Sequence, residues 1–198
     1  MRARAIIPQK PIALAKGRLA AVLGPKSRAA LSLALLQHVC ATLRTAADVE
    51  DVVVMTPDQD VRARVAAWGV RAIPDPAPGL NPALTEALVP MVGWSHGLLI
   101  VAGDLPFLEV ADIVALLGAS TRQALGIAPS QDGTGTNALA LPPGILIRPA
   151  FGRGSFAAHR RQAHALGLRV TEIARPGLAF DLDTPVDLAA YLTAGRQA

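Results

Sequence analysis

The feature that most constrains the fold is the apolar run from Gly97 to Ala102, which is followed at once by Gly103-Asp104-Leu105-Pro106. A strand without a polar residue on either face is typical of the centre of a parallel sheet covered by helices on both sides. In open sheets of this kind, ligands bind at the carboxyl ends of the strands. Because Asp104 follows such an end, beside a glycine that permits close approach, we predict that it binds Mg²⁺. The alternative is that Asp104 caps a helix that begins near Glu109.

Length and composition predict one α/β domain over residues 1–198. A chain of 198 residues, of which 52% are hydrophobic, can bury one substantial core. Its apolar runs are shorter than the roughly 18 to 20 residues that cross a membrane, and the first residues lack a signal-peptide pattern. The single cysteine, Cys40, stands among apolar residues and is predicted to be buried. We therefore expect a cytoplasmic protein with no membrane partner.

The charge pattern argues against nucleic acid as a partner. The net charge is only +4, the arginines are scattered, and aromatic residues make up 4% of the chain, too few for a base-stacking surface. Three lysines stand against sixteen arginines, and all three (Lys10, Lys16 and Lys26) lie in the first 26 residues. This placement indicates positions where a compact charge matters, although chance placement of solvated charges explains it equally well.

Apolar strand-like runs alternate with segments of helical periodicity. In chain order we predict strands and helices at 3–8 (strand), 27–46 (helix, with Ser27 as N-cap), 51–56 (strand), 59–68 (helix), 70–73 (strand), 81–92 (helix, with Asn81 as N-cap), 97–103 (strand), 109–118 (helix) and 124–128 (strand). Such alternation predicts an α/β fold in which helices pack over a mostly parallel sheet.

The first chemically suggestive segment, Pro8–Leu19, directly follows the first predicted strand. Lys10, Lys16 and Arg18 place three cations in nine residues, which suits a triphosphate at the first strand–helix loop. The segment matches neither a P-loop nor a dinucleotide-binding pattern. A solvated basic loop is the alternative.

The second segment, residues 74–81, is a rigid Pro- and Gly-rich loop at a strand end. Asn81 is suited to cap a helix, and its amide is also suited to contact a base or ribose. Gly79 serves either a turn or a close approach to a ligand.

The third segment, residues 128–139, contains Asp132-Gly133-Thr134-Gly135-Thr136-Asn137. Its glycines let backbone N–H groups point at an anion, and Thr134 and Thr136 add hydroxyl donors. A hairpin turn at Asp132-Gly133 is the alternative, but it leaves the residues that follow unexplained.

The fourth segment, residues 151–156, precedes a periodic stretch that runs from 157 to 166. Ser155 is predicted to cap this helix, whose N-terminus suits a phosphate or carboxylate. Because no cysteine or paired carboxylate stands at metal-ligand spacing from them, the four histidines (His38, His96, His159 and His164) are interpreted as packing or surface residues.

The fifth segment, residues 181–188, combines a helix start with two further carboxylates. Thr184 as N-cap, Pro185 at the first helical position and Asp187 at the third complete a capping box. Asp181 and Asp183 stand two residues apart, so an extended backbone places both on one face. Asp104 and Asp183 together would supply Mg²⁺ with two carboxylates.

In chain order the motifs are Pro-x-Lys-x(5)-Lys-x-Arg-Leu, Gly-Leu-Asn, Gly-Asp-Leu-Pro, Pro-Ser-x-Asp-Gly-Thr-Gly-Thr-Asn, Phe-Gly-x-Gly-Ser-Phe and Asp-Leu-Asp-Thr-Pro. From about Ile6 to Leu188 this set resembles the guanylyltransferase family of coenzyme F420 biosynthesis. Members join GMP from GTP to 2-phospho-L-lactate, phosphoenolpyruvate or 3-phospho-D-glycerate. The Asp-Gly-Thr-Gly-Thr-Asn segment is the most specific part, and Gly17 departs from the family, which more often has Ser there.

The resemblance implies a single Rossmann-like nucleotidyltransferase domain of the glycosyltransferase-A-like type, with a mostly parallel mixed sheet flanked by helices. It implies that Asp104 and Asp183 bind Mg²⁺, with Asp181 a weaker candidate. The same resemblance implies that the triphosphate is bound by Lys10, Lys16 and Arg18. It implies that the acid is bound by Thr134, Thr136, Gly152 and Ser155, and that guanosine is bound by Gly79 and Asn81.

The implied reaction needs no general base. A phosphate monoester has a second pKa near 6, so at neutral pH its oxygen is ready to attack the α-phosphorus of GTP. Two alternatives stay open: another nucleotidyltransferase, of the CMP-sugar or molybdopterin type, and a non-catalytic GTP-binding sensor. The sequence also leaves open which acid is used, whether the chain forms a homodimer, and whether the product passes directly to the next enzyme.

Overall fold

The computed structural model describes residues 1–92 and 95–195. In chain order its elements are β1 (Ala3–Pro8), α1 (Pro25–Thr45), β2 (Val49–Met55), α2 (Gln59–Ala67), β3 (Arg71–Ile73), α3 (Leu80–Leu88), β4 (Gly97–Val101), α4 (Val110–Ala119), β5 (Ala124–Pro129), β6 (Thr136–Leu141), α5 (Ser155–Ala165), β7 (Arg169–Glu172), α6 (Pro176–Ala179) and α7 (Pro185–Ala194). Short 3₁₀ turns lie at Ile12–Leu14, Gly17–Leu19 and Val89–Met91. No helix within the described ranges is long and apolar enough to cross a membrane.

The strands form one sheet in the order β3-β2-β1-β4-β6-β5-β7. β1 pairs in parallel with β2 and β4, whereas β6 runs antiparallel to both β4 and β5. The prediction of a mostly parallel mixed sheet is therefore confirmed, and β6 is the reversed strand. All five residues of β4 are buried, as expected of a central strand. Its first residue, Gly97, packs so closely that a Cβ there would clash with the Leu141 carbonyl oxygen.

Alternate residues of the strands supply two hydrophobic cores, one on each side of the sheet. Ala5 and Ile7 pack on the side covered by α1, α2 and α4, and Ile6 packs with residues of α3 and α5 on the other side. This alternation follows from the two-residue period of a strand. Cys40 belongs to the first core and is 1% exposed, which confirms its predicted burial.

The starts of α1 and α3 differ from the prediction. α1 begins at Pro25 with Gly24 as its N-cap, so Ser27 lies inside the first turn. Proline suits the first helical position because its missing N–H has no partner there in any case. α3 begins at Leu80 after Gly79, whose φ of +90° turns the chain into the helix, so Asn81 is not the cap.

Other helix starts bear directly on the predicted carboxylates. Thr184 and Asp187 form the predicted capping box of α7. Glu109 caps α4, completed by Asp112 at the third position. Because α4 has this cap, Asp104 does not fill that role.

Candidate active site

A cleft of about 1460 Å³ runs along the carboxyl ends of the parallel strands. Since β6 is antiparallel, its first residues reach the same edge as the ends of β1 and β4. The predicted site residues that line the cleft are Lys10, Lys16, Arg18, Gly79, Asp104, Thr134, Thr136, Gly152, Asp181 and Asp183. The other two, Asn81 and Ser155, lie behind its wall.

The centre of the cleft holds two carboxylates joined by one ammonium group. Lys16 Nζ donates to Asp104 Oδ2 at 2.6 Å and to Asp183 Oδ1 at 3.0 Å. Burial opposes the charge of Lys16, but the two carboxylates outweigh it and raise the pKa of the ammonium group above its usual value. Arg18 lies 3.7 Å from the second oxygen of Asp183. The sequence predicted Lys16, Asp104 and Asp183 as site residues, although up to 167 residues separate them.

Asp181, near Asp104 and Asp183, is partly buried and is held by Asn137. Asn137 Nδ2 donates to Asp181 Oδ1 at 3.1 Å and also contacts the carbonyl oxygens of Leu178 and Ala179. Burial, reinforced by the charges of Asp104 and Asp183, raises the pKa of the Asp181 carboxyl. Asn137, which sequence reasoning assigned to no role, therefore holds the segment that carries Asp181 and Asp183.

The loop after β1 is held in an unusual conformation. Lys16 has a φ of +52°, the one positive value among the non-glycine residues that the structure describes. Such conformations cost about 1–3 kcal/mol and concentrate at functional sites. Asp58 anchors the loop, because its Oδ2 accepts the Ile12 N–H at 2.9 Å while Oδ1 caps α2. The hydrogen bond from the Ile12 N–H lowers the pKa of the Asp58 carboxyl. Sequence reasoning missed this contact, because the Thr56-Pro57-Asp58 pattern indicates only a turn.

The donor set of the central cluster fits Mg²⁺. Within the described residues, no group of three or more His, Cys, Asp or Glu side chains forms a complete metal cage. Mg²⁺ does not need one, because proteins usually bind it through one or two carboxylates together with substrate phosphates. Asp104 and Asp183 are close enough to share one cation, as their common contact with Lys16 demonstrates.

The loop between β5 and β6 is a hairpin built on Asp132. Thr134 donates its backbone N–H and its hydroxyl to the Asp132 carboxylate, and Ser130 donates to it as well. These hydrogen bonds lower the pKa of Asp132 to about 2. The hairpin, which the sequence offered as the alternative, is present, and Thr134 and Thr136 both line the cleft. Their contact with the acid stays a prediction.

Asn81 fastens the loop that carries Gly152. Its Nδ2 donates to the Phe151 carbonyl at 3.1 Å, and its Oδ1 accepts the Phe151 N–H at 2.8 Å. Both ends of the amide are engaged, so in this structure Asn81 positions the cleft wall. Its contact with guanosine, like that of Gly79, stays a prediction.

Ser155 and His159 form a buried network behind Thr136. Ser155 is the first residue of α5 rather than its N-cap, because Gly154, with a φ of +77°, fills that position. Its hydroxyl lies 3.2 Å from Thr136 Oγ1, and His159 Nδ1 lies 3.1 Å from the same oxygen. His159 is fully buried, so of the two interpretations that the sequence left open, packing or surface, the surface position is ruled out for it. The exposed His164 lies on the same helix.

Comparison with known proteins shows the family to which the chain belongs. The sequence model of the family described as guanylyl transferase CofC like matches residues 3–198. The chain belongs to this family. It is 43% identical over 188 residues to a phosphoenolpyruvate guanylyltransferase of Sphaerobacter thermophilus, with 93% of this chain and 89% of the relative covered. A protein of the same name from Rubrobacter xylanophilus is 39% identical, with 96% and 94% covered.

Solved structures agree on the fold of this guanylyl transferase family member. A nucleotidyl transferase from Methanothermobacter superposes with a TM-score of 0.72 at 16% identity, covering all of this chain and 99% of the other. The fold is the α/β fold of nucleotidyltransferases, of the glycosyltransferase-A-like type. Family and fold together identify the chain as a nucleotidyltransferase enzyme of the guanylyltransferase class.

Proposed function

We propose that the chain transfers GMP from GTP to the phosphate of phosphoenolpyruvate and releases pyrophosphate, a step in coenzyme F420 biosynthesis. The relatives carry the name of this activity. The observation that carries the proposal is the division of one cleft into two anion sites. Lys16 joins the carboxylates of Asp104 and Asp183 at its centre, Lys10 and Arg18 also line the cleft, and Thr136 and Gly152 line it on the β6 side.

The sheet order supports a placement of the two substrates. Asp104 follows β4, the strand between β1 and β6, and the triphosphate loop follows β1. We assign the triphosphate to Lys10, Lys16 and Arg18, and guanosine to the edge beyond β2 and β3, where Gly79 lies. The acid then falls on the β6 side, against Thr136 and Gly152.

The chemistry follows from this placement. A phosphate oxygen of the acid forms a bond to the α-phosphorus of GTP as the bond to the bridging oxygen of pyrophosphate breaks. The attacking phosphate is already largely ionised at neutral pH, so no side chain has to remove a proton. The residues of the cleft bring two anions together and balance their charge.

The cations have distinct tasks in this scheme. Lys10 and Arg18 neutralise the triphosphate, and Lys16, within reach of both carboxylates, offsets charge where the bond to pyrophosphate breaks. Asp104 and Asp183 would hold Mg²⁺, which when bound supplies positive charge to the phosphate oxygens. Asp181, whose carboxylate accepts a hydrogen bond from Asn137, fits a supporting position better than that of a ligand.

Pyrophosphate release tests the proposal. The protein is mixed with Mg²⁺ and GTP, CTP or UTP, and with each of the three phosphorylated acids, in the presence of the next pathway enzyme because the product anhydride is labile. We expect release with GTP and phosphoenolpyruvate. Preference for CTP or UTP would favour a different nucleotidyltransferase, and GTP binding without release would favour the sensor. A cytoplasmic location, a homodimer and direct hand-off of the product stay predictions.

A further inference from the structure

We propose that His159 is a positioning residue that fixes the Thr136 hydroxyl as a hydrogen-bond donor to the acid substrate. The inference rests on the proposed function, since it concerns the acid end of the same cleft. His159 does not line the cleft, and we argue that it acts on this substrate through Thr136 rather than through its other contact, the Ala150 N–H.

The protonation of the imidazole is determined by its two partners. His159 Nε2 lies 3.0 Å from the backbone nitrogen of Ala150, which can only donate. Nε2 is therefore the acceptor, and a neutral imidazole that accepts at Nε2 carries its proton on Nδ1. The ring is fully buried, and burial lowers the pKa of His159 to about 4, so it is neutral at physiological pH.

The hydrogen bonds to Thr136 Oγ1 then leave its hydroxyl hydrogen available to a ligand in the cleft. Nδ1–H of His159 donates to Thr136 Oγ1, and the fully buried Ser155 hydroxyl, for which Thr136 Oγ1 is the partner at 3.2 Å, donates to the same oxygen. A hydroxyl oxygen accepts two hydrogen bonds and donates one. With both acceptor sites filled from behind, the Thr136 hydrogen is free to point into the cleft that Thr136 lines.

A fixed donor suits an anionic substrate. Phosphate and carboxylate oxygens accept hydrogen bonds, and a donor that is already oriented loses little freedom when the ligand binds. With the opposite tautomer, Nδ1 would accept a hydrogen bond from the Thr136 hydroxyl, and this hydroxyl could then not donate to the substrate.

Two substitutions separate this role from simple packing. In His159→Gln the side-chain oxygen can reach the Nε2 position and accept from Ala150, but the donor to Thr136 is lost. In His159→Asn a side-chain N–H can take the place of Nδ1–H, and the contact with Ala150 is lost. We expect His159→Gln to raise the KM for the acid about tenfold, with kcat and the KM for GTP within about twofold of wild type. We expect His159→Asn to retain most of the affinity for the acid.

A double-mutant cycle with Thr136→Val tests whether His159 acts through the threonine. If it does, His159→Gln adds little to the KM for the acid once the hydroxyl is gone. Effects that multiply, or a KM for GTP that rises in step, would overturn the inference. Circular dichroism and thermal midpoints of all variants check folding.

The tautomer is measured separately, in the free protein. Nitrogen-15 NMR of histidine-labelled protein, with the His159 signals identified by their loss in His159→Gln, should show Nδ1 protonated and Nε2 bare. The reverse pattern would refute the inference whatever the substrate. Failure of the proposed function is distinguishable, because wild type would then release no pyrophosphate with any of the three acids.

Discussion

The buried His159 predicts a specific loss of stability in acid. In the folded chain its pKa is lowered to about 4 by burial, whereas an unfolded chain has the ordinary histidine pKa of about 6.5. Above pH 6.5 both states hold a neutral imidazole, and the group has no effect on the pH dependence of folding. As the pH falls from 6.5 to 4, only the unfolded chain takes up this proton, so the free energy of unfolding decreases.

The size of the effect follows from the shift. One pKa unit corresponds to about 1.4 kcal/mol, so a difference of about 2.5 units lowers the free energy of unfolding by about 3 kcal/mol between pH 6.5 and 4. Most of this loss of stability occurs above pH 4.5. The side chain is fully buried, so solvent screening should reduce the effect little.

Urea unfolding at half-unit pH steps from 7.5 to 4.5 measures the effect. Because other carboxyls titrate near the lower limit, the informative quantity is the difference between wild type and His159→Gln, which should shrink by about 1.4 kcal/mol per pH unit below pH 6. His164→Gln, an exposed histidine on the same helix, is the matched control and should follow wild type. Parallel curves for wild type and His159→Gln would show that the buried imidazole does not titrate as described.

Three further predictions concern the cleft. Asp104→Asn should lower kcat at least a hundredfold while circular dichroism shows the fold retained, because Asp183 still pairs with the buried Lys16. Asp51→Asn, which removes a carboxylate outside the cleft, should keep activity, and substantial turnover by Asp104→Asn would refute the metal assignment. Ser155→Ala should raise the KM for the acid much more than that for GTP, and equal increases would remove Ser155 from the acid side. Asn81→Ala loses two hydrogen bonds to Phe151 and should lower the free energy of unfolding by about 1–3 kcal/mol in urea titrations; an unchanged value would mean that the loop is held elsewhere.

The sequence predicted the parts of the fold that depend on local pattern. The alternation of apolar runs and helical periodicity was enough for β1, β4 and most helices, and the carboxyl ends of parallel strands necessarily meet at one edge. That geometry is why Lys16 and Asp104 could be predicted to lie together, whereas Asp183 follows no strand and was placed with them by the family resemblance.

The remaining features depend on tertiary contacts that a local pattern does not encode. Asn81 and Ser155 are residue types that commonly cap helices, but in this fold glycines with positive φ are the N-caps. Both side chains instead form hydrogen bonds with other segments. The contact of Asp58 with Ile12 joins two loops, and the role of His159 depends on a backbone N–H nine residues away. β6 was interpreted as a ligand loop, because its polar first residues obscured the strand that follows.

The most direct test of the central claim follows the phosphates of GTP. GTP labelled with ³²P at the α-position, or separately at the γ-position, is incubated with phosphoenolpyruvate, Mg²⁺ and the protein, and the products are separated by chromatography. We predict that the α-label appears in a new compound that also contains the carbon skeleton of phosphoenolpyruvate, while the γ-label leaves as pyrophosphate. An α-label that stays in GTP or GDP, free GMP that forms equally fast without phosphoenolpyruvate, or a γ-label that moves to the acid would contradict the account.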